Sequence, residues 1–72
     1  MWTRAATEFA ELMCSRLSEM YKQRCEVQHV ERISRLEFKV RYSVVHEGTM
    51  HRGMFVTLTE NGQVDRYAVE EV

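Results

Sequence analysis

The feature that most constrains the fold of this chain is a change in the spacing of its apolar residues. Over residues 3–23 the apolar residues recur with the 3.6-residue period of one helix face. From Leu36 onward the period is two, which is typical of a strand with one buried face. The chain has 72 residues, and these two patterns use nearly all of its apolar residues. They predict one α+β domain over 1–72, with an N-terminal helix packed across an antiparallel sheet.

The predicted helix carries a broad apolar stripe, which is what a helix lying across a sheet requires. Thr3 is the predicted N-cap, because its hydroxyl can accept a hydrogen bond from the first turn. On the stripe lie Phe9, Met13, Leu17 and Met20. We expect this stripe to pack against the alternating apolar residues of the sheet. The expected partners are Phe38, Val40, Val56 and Tyr67.

Three or four strands are predicted after the helix. Residues 36–44 alternate without interruption, so their apolar members share one face. Those members are Leu36, Phe38, Val40, Tyr42 and Val44. An earlier strand is expected over residues 25–31, and a bulge or bend near residues 33–35 accounts for the break in its alternation.

Two turns set the predicted pairing of the later strands. Asn61-Gly62 predicts a type I′ hairpin, which pairs Val56 with Tyr67 and Met54 with Val69. A three-residue turn at residues 47–49 then keeps apolar side chains on one face, whereas a two-residue turn would separate them. That turn pairs Tyr42 with Met54 and Val40 with Val56.

One helix followed by four strands resembles the cystatin-like layout, in which a curved sheet grips a helix. The resemblance covers the whole chain and is carried by the order of the elements. The inhibitory Gln-x-Val-x-Gly loop of that family is absent, so inhibition of cysteine proteases is not implied. The format is also similar to that of small phage-encoded inhibitors, anti-CRISPR proteins among them, and it implies a viral protein as one origin.

Composition limits the classes of partner. The formal net charge is −1, which gives no overall attraction to nucleic acid or to a membrane surface. No apolar run approaches the ~20 residues of a membrane span, and the first residues lack the apolar core of a secretory signal. We therefore expect a cytoplasmic protein, of the source cell or of a host cell. A core this small also favours a dimer, because association adds stability.

The cysteines and histidines form no recognised metal site. Cys14 and Cys25 are eleven residues apart, a spacing that favours two structural thiols, with a disulfide between helix and first strand as the alternative. His29, His46 and His51 have no third ligand at a known spacing. We predict no metal and no cofactor.

No catalytic motif is found in the sequence. There is no glycine-rich phosphate loop and no His-Glu-x-x-His, and only Cys25 and His29 could be assembled as a nucleophile and its base. A domain of this size has little room for a cleft of several hundred Å³. We predict no enzyme, no catalytic residue and no small-molecule substrate.

The sheet face turned away from the helix carries the candidate binding residues. The predicted turns place Arg41 opposite Phe55, Phe55 opposite Ala68, and Thr57 between two basic residues. The candidates are Phe55, Arg41, Lys39, Arg66, His51 and Val45. An exposed Phe beside a guanidinium favours a partner surface, and a solvated face with one aromatic is the alternative. The polar helix arc around residues 8–15 is the next candidate surface.

These observations predict a non-enzymatic protein-binding module, an inhibitor or adaptor that occupies the surface of a partner. The partner would be another protein or a second copy of the chain. The alternative function is binding of single-stranded nucleic acid, with a base stacked on Phe55 and phosphates on Lys39, Arg41 and Arg66. The near-neutral charge favours the protein partner.

Overall fold

The structure, a computed structural model, describes residues 2–45 and 48–70. Helix α1 (Thr3–Tyr21) precedes strands β1 (Arg24–Arg32), β2 (Glu37–Val45), β3 (Thr49–Leu58) and β4 (Val64–Glu70). The strands form one antiparallel sheet in the order β1-β2-β3-β4, so each strand pairs with its neighbour in sequence. The predicted α+β class and the α-β-β-β-β order are confirmed. Within the described residues no helix is long and apolar enough to span a membrane.

The ends of α1 differ from the prediction. Trp2 holds the N-cap position without a side-chain hydrogen bond, so the prediction of Thr3 as N-cap is wrong. The carbonyl of Thr3 instead accepts a hydrogen bond of 2.8 Å from the Thr7 hydroxyl, within the first turn. The helix ends at Tyr21, two residues earlier than expected, because Lys22 takes a left-handed conformation with φ of 55°.

The face of α1 that meets the sheet is centred on small residues. Ala6, Ala10 and Cys14 are buried and recur every four positions. Their short side chains let the helix backbone approach the sheet closely, so the larger side chains lie at the margin. Phe9, Met13 and Leu17 are half-buried there. Met20 is 70% exposed, so its predicted burial is wrong: the contact face is rotated away from it.

The junction of helix and sheet is closed by a disulfide. Cys14 on α1 and Cys25 on β1 are bonded, with their Cα atoms 5.2 Å apart. Only residues 22 and 23 separate the two elements, and the left-handed Lys22 turns the chain back along the helix. The favoured expectation of two separate thiols is therefore corrected.

The predicted inner face of the sheet, the face toward α1, is confirmed. Phe38, Val40, Val56 and Leu58 are fully buried, and Tyr42, Val44 and Met54 complete the core. Tyr67 on β4 also lies on this side, and its ring centroid is 5.2 Å from that of Phe9. The ring of Trp2 lies against Gly62, at the turn between β3 and β4.

The irregularity in β1 lies earlier than predicted. Val27 pairs with Tyr42 and His29 with Arg41, so Gln28 is the extra residue of a bulge. The bulge returns Val30 to the inner face, which explains the broken alternation of the sequence. It also turns His29 to the opposite face.

Residues 33–36 form the connection between β1 and β2. The backbone N–H groups of Ile33 and Ser34 donate to the carbonyl of Glu37 at 2.9 and 3.2 Å. Arg35 donates a hydrogen bond to Glu60, and this bond, with the carboxylate charge, raises the pKa of Arg35 above its ordinary value. The connection is thereby joined to the β3–β4 turn.

The turn between β2 and β3 shifts the predicted register by two residues. Val45 pairs with Thr49, so the connection is residues 46–48 rather than 47–49. Tyr42 therefore pairs with Arg52, and the predicted pairing of Tyr42 with Met54 is wrong. Because the shift is even, every side chain keeps its predicted face. Residues 46 and 47 lie outside the described residues, and with them the candidate ligand His46 and part of the predicted turn.

The β3–β4 hairpin has the predicted pairs but a different turn. Val56 pairs with Tyr67 and Met54 with Val69, as expected. Gly62 has the expected positive φ, 79°, and its N–H donates to the carbonyl of Thr59 at 2.9 Å. Type I′ is wrong, because that turn needs a positive φ at Asn61 as well, and Lys22 is the only such non-glycine residue described. The loop is a three-residue one that ends in left-handed Gly62.

Candidate interaction surface

The face of the sheet opposite α1, called the outer face below, carries all six predicted binding residues. None of the described helices or strands lies over it, because the only helix among them packs on the inner face. On β2 and β3 the outer face presents Lys39, Arg41, Ser43, Val45, His51, Gly53, Phe55 and Thr57. The register shift changes which of these side chains are neighbours.

Phe55 has Lys39 as its neighbour on β2. Lys39 and Ala68 lie directly opposite Phe55 on the two flanking strands. The Lys39 ammonium is 5.3 Å from the ring centroid and 3.9 Å from the Glu70 carboxylate. The predicted pairing of Arg41 with Phe55 is wrong, whereas that of Phe55 with Ala68 is confirmed. The ring remains 40% exposed with a cation already placed beside it.

Arg41 occupies the centre of the outer face. It lies opposite Gly53 on β3 and His29 on β1, and it forms no ion pair with any other described residue. A Cβ at position 53 would strike the Glu70 carboxylate, so that carboxylate folds over Gly53 in the space a side chain would fill. The result is a shallow depression of about 250 Å³, bordered by Lys39, Arg41, His51 and Glu70.

A second depression adjoins the first on the β1 side. It has a volume of about 490 Å³ and is lined by Gln28, His29, Arg41 and His51. Gln28 donates a hydrogen bond of 3.0 Å to the Ser43 hydroxyl, and Ser43 is buried. Arg41 and His51 therefore line both depressions, and His29 lines the second one.

The six predicted residues share a face but do not form one cluster. Thr57 on β3 has Arg66 opposite it on β4 and Glu37 opposite it on β2. The prediction that Lys39 also lies beside Thr57 is wrong, because Glu37 takes that position. Val45, 39% exposed, is eight residues along β2 from Glu37, or roughly 26 Å. The compact part of the site is Lys39, Arg41, His51 and Phe55.

The sequence interpretation missed two residues of this surface, His29 and Glu70. They lie in the same cross-strand row as Arg41 and Gly53. A signal existed for His29, because the spacing of Val27 and Val30 indicates a bulge that turns it outward. A lone glycine inside a strand also indicates a close approach, which Glu70 makes at Gly53.

The described part of the outer face carries charges of both signs. Its carboxylates are Glu26, Glu31, Glu37 and Glu70, and its cations include Arg24, Lys39, Arg41 and Arg66. No group of three or more His, Cys, Asp or Glu residues able to hold a metal ion is present in 2–45 and 48–70. The surface is suited to hydrogen bonding and ion pairing with a partner of mixed charge.

Comparison with protein-family models, with curated proteins and with solved structures finds no match to this chain.

Proposed function

We propose that this chain is a non-enzymatic protein-binding module, which acts as an inhibitor or adaptor by occupying the surface of a partner protein. The observation that carries the proposal is the uncovered outer face, where exposed Phe55 lies one row from Arg41. Aromatic and arginine side chains supply much of the binding energy at protein interfaces. Arg41 has no carboxylate partner among the described residues, so an acid from a partner can pair with it.

The arrangement around Phe55 specifies the chemistry of the partner. The Lys39 ammonium lies over the Phe55 ring and near the Glu70 carboxylate, so the ammonium and the ring are already oriented before binding. Orientation before binding lowers the entropy lost on association. We expect the partner to place an apolar side chain on Phe55 and a carboxylate against Arg41.

Single-stranded nucleic acid is the other candidate for the outer face, and two observations disfavour it. Phe55 is the only Phe, Tyr or Trp on the described part of this face, whereas such proteins stack successive bases. Four carboxylates on the same face also repel a phosphate backbone. These are Glu26, Glu31, Glu37 and Glu70.

A capture experiment with a paired substitution tests the proposal. The immobilised chain is incubated with lysate of the source cell, with and without nuclease, and the retained proteins are identified by mass spectrometry. Phe55→Ser with Arg41→Glu should reduce retention of the specific partner at least tenfold, about 1.4 kcal/mol. Both side chains are exposed, so the variant should retain a cooperative melt, with a stability loss of about 1 kcal/mol or less.

The matched control is Met20→Ser with Arg16→Glu, which makes the same kind of change on the exposed part of α1. Capture that survives in the control and is lost in the outer-face variant supports the proposal. Capture that nuclease abolishes would assign the face to nucleic acid. Equal loss in both variants, or in neither, would place the working surface elsewhere, with Glu8, Glu11 and Ser15 next.

A further inference from the structure

The two edges of the sheet differ in how they are protected. β1 carries a bulge at Gln28 and mostly charged or polar side chains, both of which discourage pairing with another strand. β4 has a register shift of its own at Asp65, but over residues 66–70 it pairs regularly with β3 and leaves its other side open. Its inner-face residues Tyr67 and Val69 are 49% and 44% exposed. An open edge with exposed apolar side chains is a template for a further strand.

We propose that β4 pairs with β4 of a second copy of this chain, antiparallel and with Ala68 on the two-fold axis. In this register Arg66 lies opposite the partner's Glu70, and Tyr67 lies opposite the partner's Val69. Each contact occurs twice, because a two-fold interface is self-complementary. The axis itself passes between two alanines, whose small side chains leave room for the flanking pairs.

Charge complementarity selects this register over its neighbours. A two-fold axis through Tyr67 would set Arg66 opposite the partner's Ala68 and Glu70 opposite the partner's Val64. An axis through Val69 would set Ala68 opposite the partner's Glu70. Only the axis through Ala68 pairs an arginine with a carboxylate on the outer face and an aromatic with a β-branched residue on the inner face. Both kinds of cross-strand pair stabilise antiparallel sheets.

The inner face supplies the apolar part of the interface. Antiparallel pairing about an axis normal to the sheet places both helices on the same side of an eight-stranded sheet. A groove of about 440 Å³ runs between α1 and the β4 side of the sheet. Its lining is mainly apolar, with Met13, Leu17, Met50 and Val69, but also includes Gln23 and Arg52. The partner's Tyr67, lying opposite Val69, would extend the apolar surface at this groove while its ring keeps its contact with Phe9 of its own chain. The inference involves neither Phe55 nor Arg41, but it shares Glu70 with the outer-face site. On dimerisation the Glu70 carboxylate must turn from Lys39 toward the partner's Arg66.

The pairing of five residues from each strand defines a small interface. Stable dimers usually bury about 1,200 Å² or more in total, with roughly 20–30 residues on each side, so a contact of five residues a side is smaller than that range. The dimer should therefore dissociate on dilution, and its equilibrium is accessible to sedimentation velocity over a concentration series.

Reversal of the paired charges tests the register. Arg66→Glu alone should weaken dimerisation at least tenfold, because it sets like charges opposite each other at two places. Glu70→Arg alone should do the same. The double variant Arg66→Glu, Glu70→Arg exchanges the charges and should restore dimerisation. Arg24→Glu on β1, the same charge change at the other edge, is the control and should leave the equilibrium unchanged.

A crosslink at the axis supplies a second measurement. Ala68→Cys places two thiols opposite each other, and in a glutathione redox buffer it should give a dimer on a non-reducing gel. Glu31→Cys on the exposed β1 edge should not. Thermal melts by circular dichroism verify that each variant folds. A monomer at all concentrations, an unrestored double variant, or equal crosslinking from both cysteine variants would overturn the proposal.

Discussion

The inner face of the sheet divides into a covered part at the centre of β2 and β3 and a half-exposed part on β4, called the uncovered part below. Phe38 and Val40 are 0% exposed, whereas Tyr67 and Val69, which point to the same side, are 49% and 44% exposed. The width of a helix relative to the spacing of strands explains this difference in exposure. A helix with its side chains is about 10–12 Å across, and strands are about 4.8 Å apart, so one helix shields two to three strands. A fourth strand needs cover from elsewhere.

The largest expected effect lies in the covered part. Phe38→Ala removes the largest fully buried side chain and leaves a cavity between α1 and the sheet. We expect a loss of about 3–5 kcal/mol, comparable to the whole stability of so small a domain. Circular dichroism should show an unfolded chain at 25 °C. A cooperative melt within a few degrees of wild type would contradict the packing described for α1.

An intermediate effect is expected where the helix backbone approaches the sheet. Ala10→Leu adds volume at a position that is 1% exposed, so the helix must move outward. Overpacking of this kind costs about 1–3 kcal/mol, which urea denaturation would measure. The control is Ser15→Leu on the exposed part of the same helix, expected to change stability by about 0.5 kcal/mol or less. Equal tolerance of both leucines would mean that α1 does not approach the sheet so closely.

The smallest effect is expected in the uncovered part. Val69→Ser exchanges an apolar for a polar side chain on the open half of β4, and in dilute monomer it should change stability by about 0.5 kcal/mol. Urea denaturation at low micromolar concentration measures the monomer alone. A loss above about 2 kcal/mol would show that β4 is as well covered as β2, and the contrast between the two parts would fail.

Faces were predictable from the sequence, but of the two predicted registers only that of β3 with β4 is confirmed. A period of two assigns Phe38 and Phe55 to opposite faces, whatever the exact turn. A connection at residues 46–48 and one at 47–49 both keep each side chain on the same face of the sheet. The alternation of apolar and polar residues therefore cannot distinguish the two registers. The partner of Phe55 therefore changed from Arg41 to Lys39, although its exposure was predicted correctly.

The helix and the site show three further limits of pattern analysis. Large residues dominate the apolar stripe of the sequence. The face of the helix that contacts the sheet is instead set by how closely the two backbones approach, so the small Ala6 and Ala10 are buried and Met20 is exposed. The pairing of Cys14 with Cys25 depends on how the chain turns at Lys22, and a spacing of eleven does not encode that. The glutamate that folds over Gly53 comes from a strand 17 residues away, beyond any local pattern.

The strand order has a consequence for the speed of folding. Because every strand pairs with its neighbour in sequence, the backbone closes only short loops as the sheet assembles. Loop closure costs little conformational entropy when loops are short, and proteins with such local contacts cross a lower folding barrier than sandwiches or parallel sheets. The meander can therefore grow hairpin by hairpin, with β1 and β4 added at its two ends. We expect this chain to refold faster than β proteins of equal length whose strands cross over.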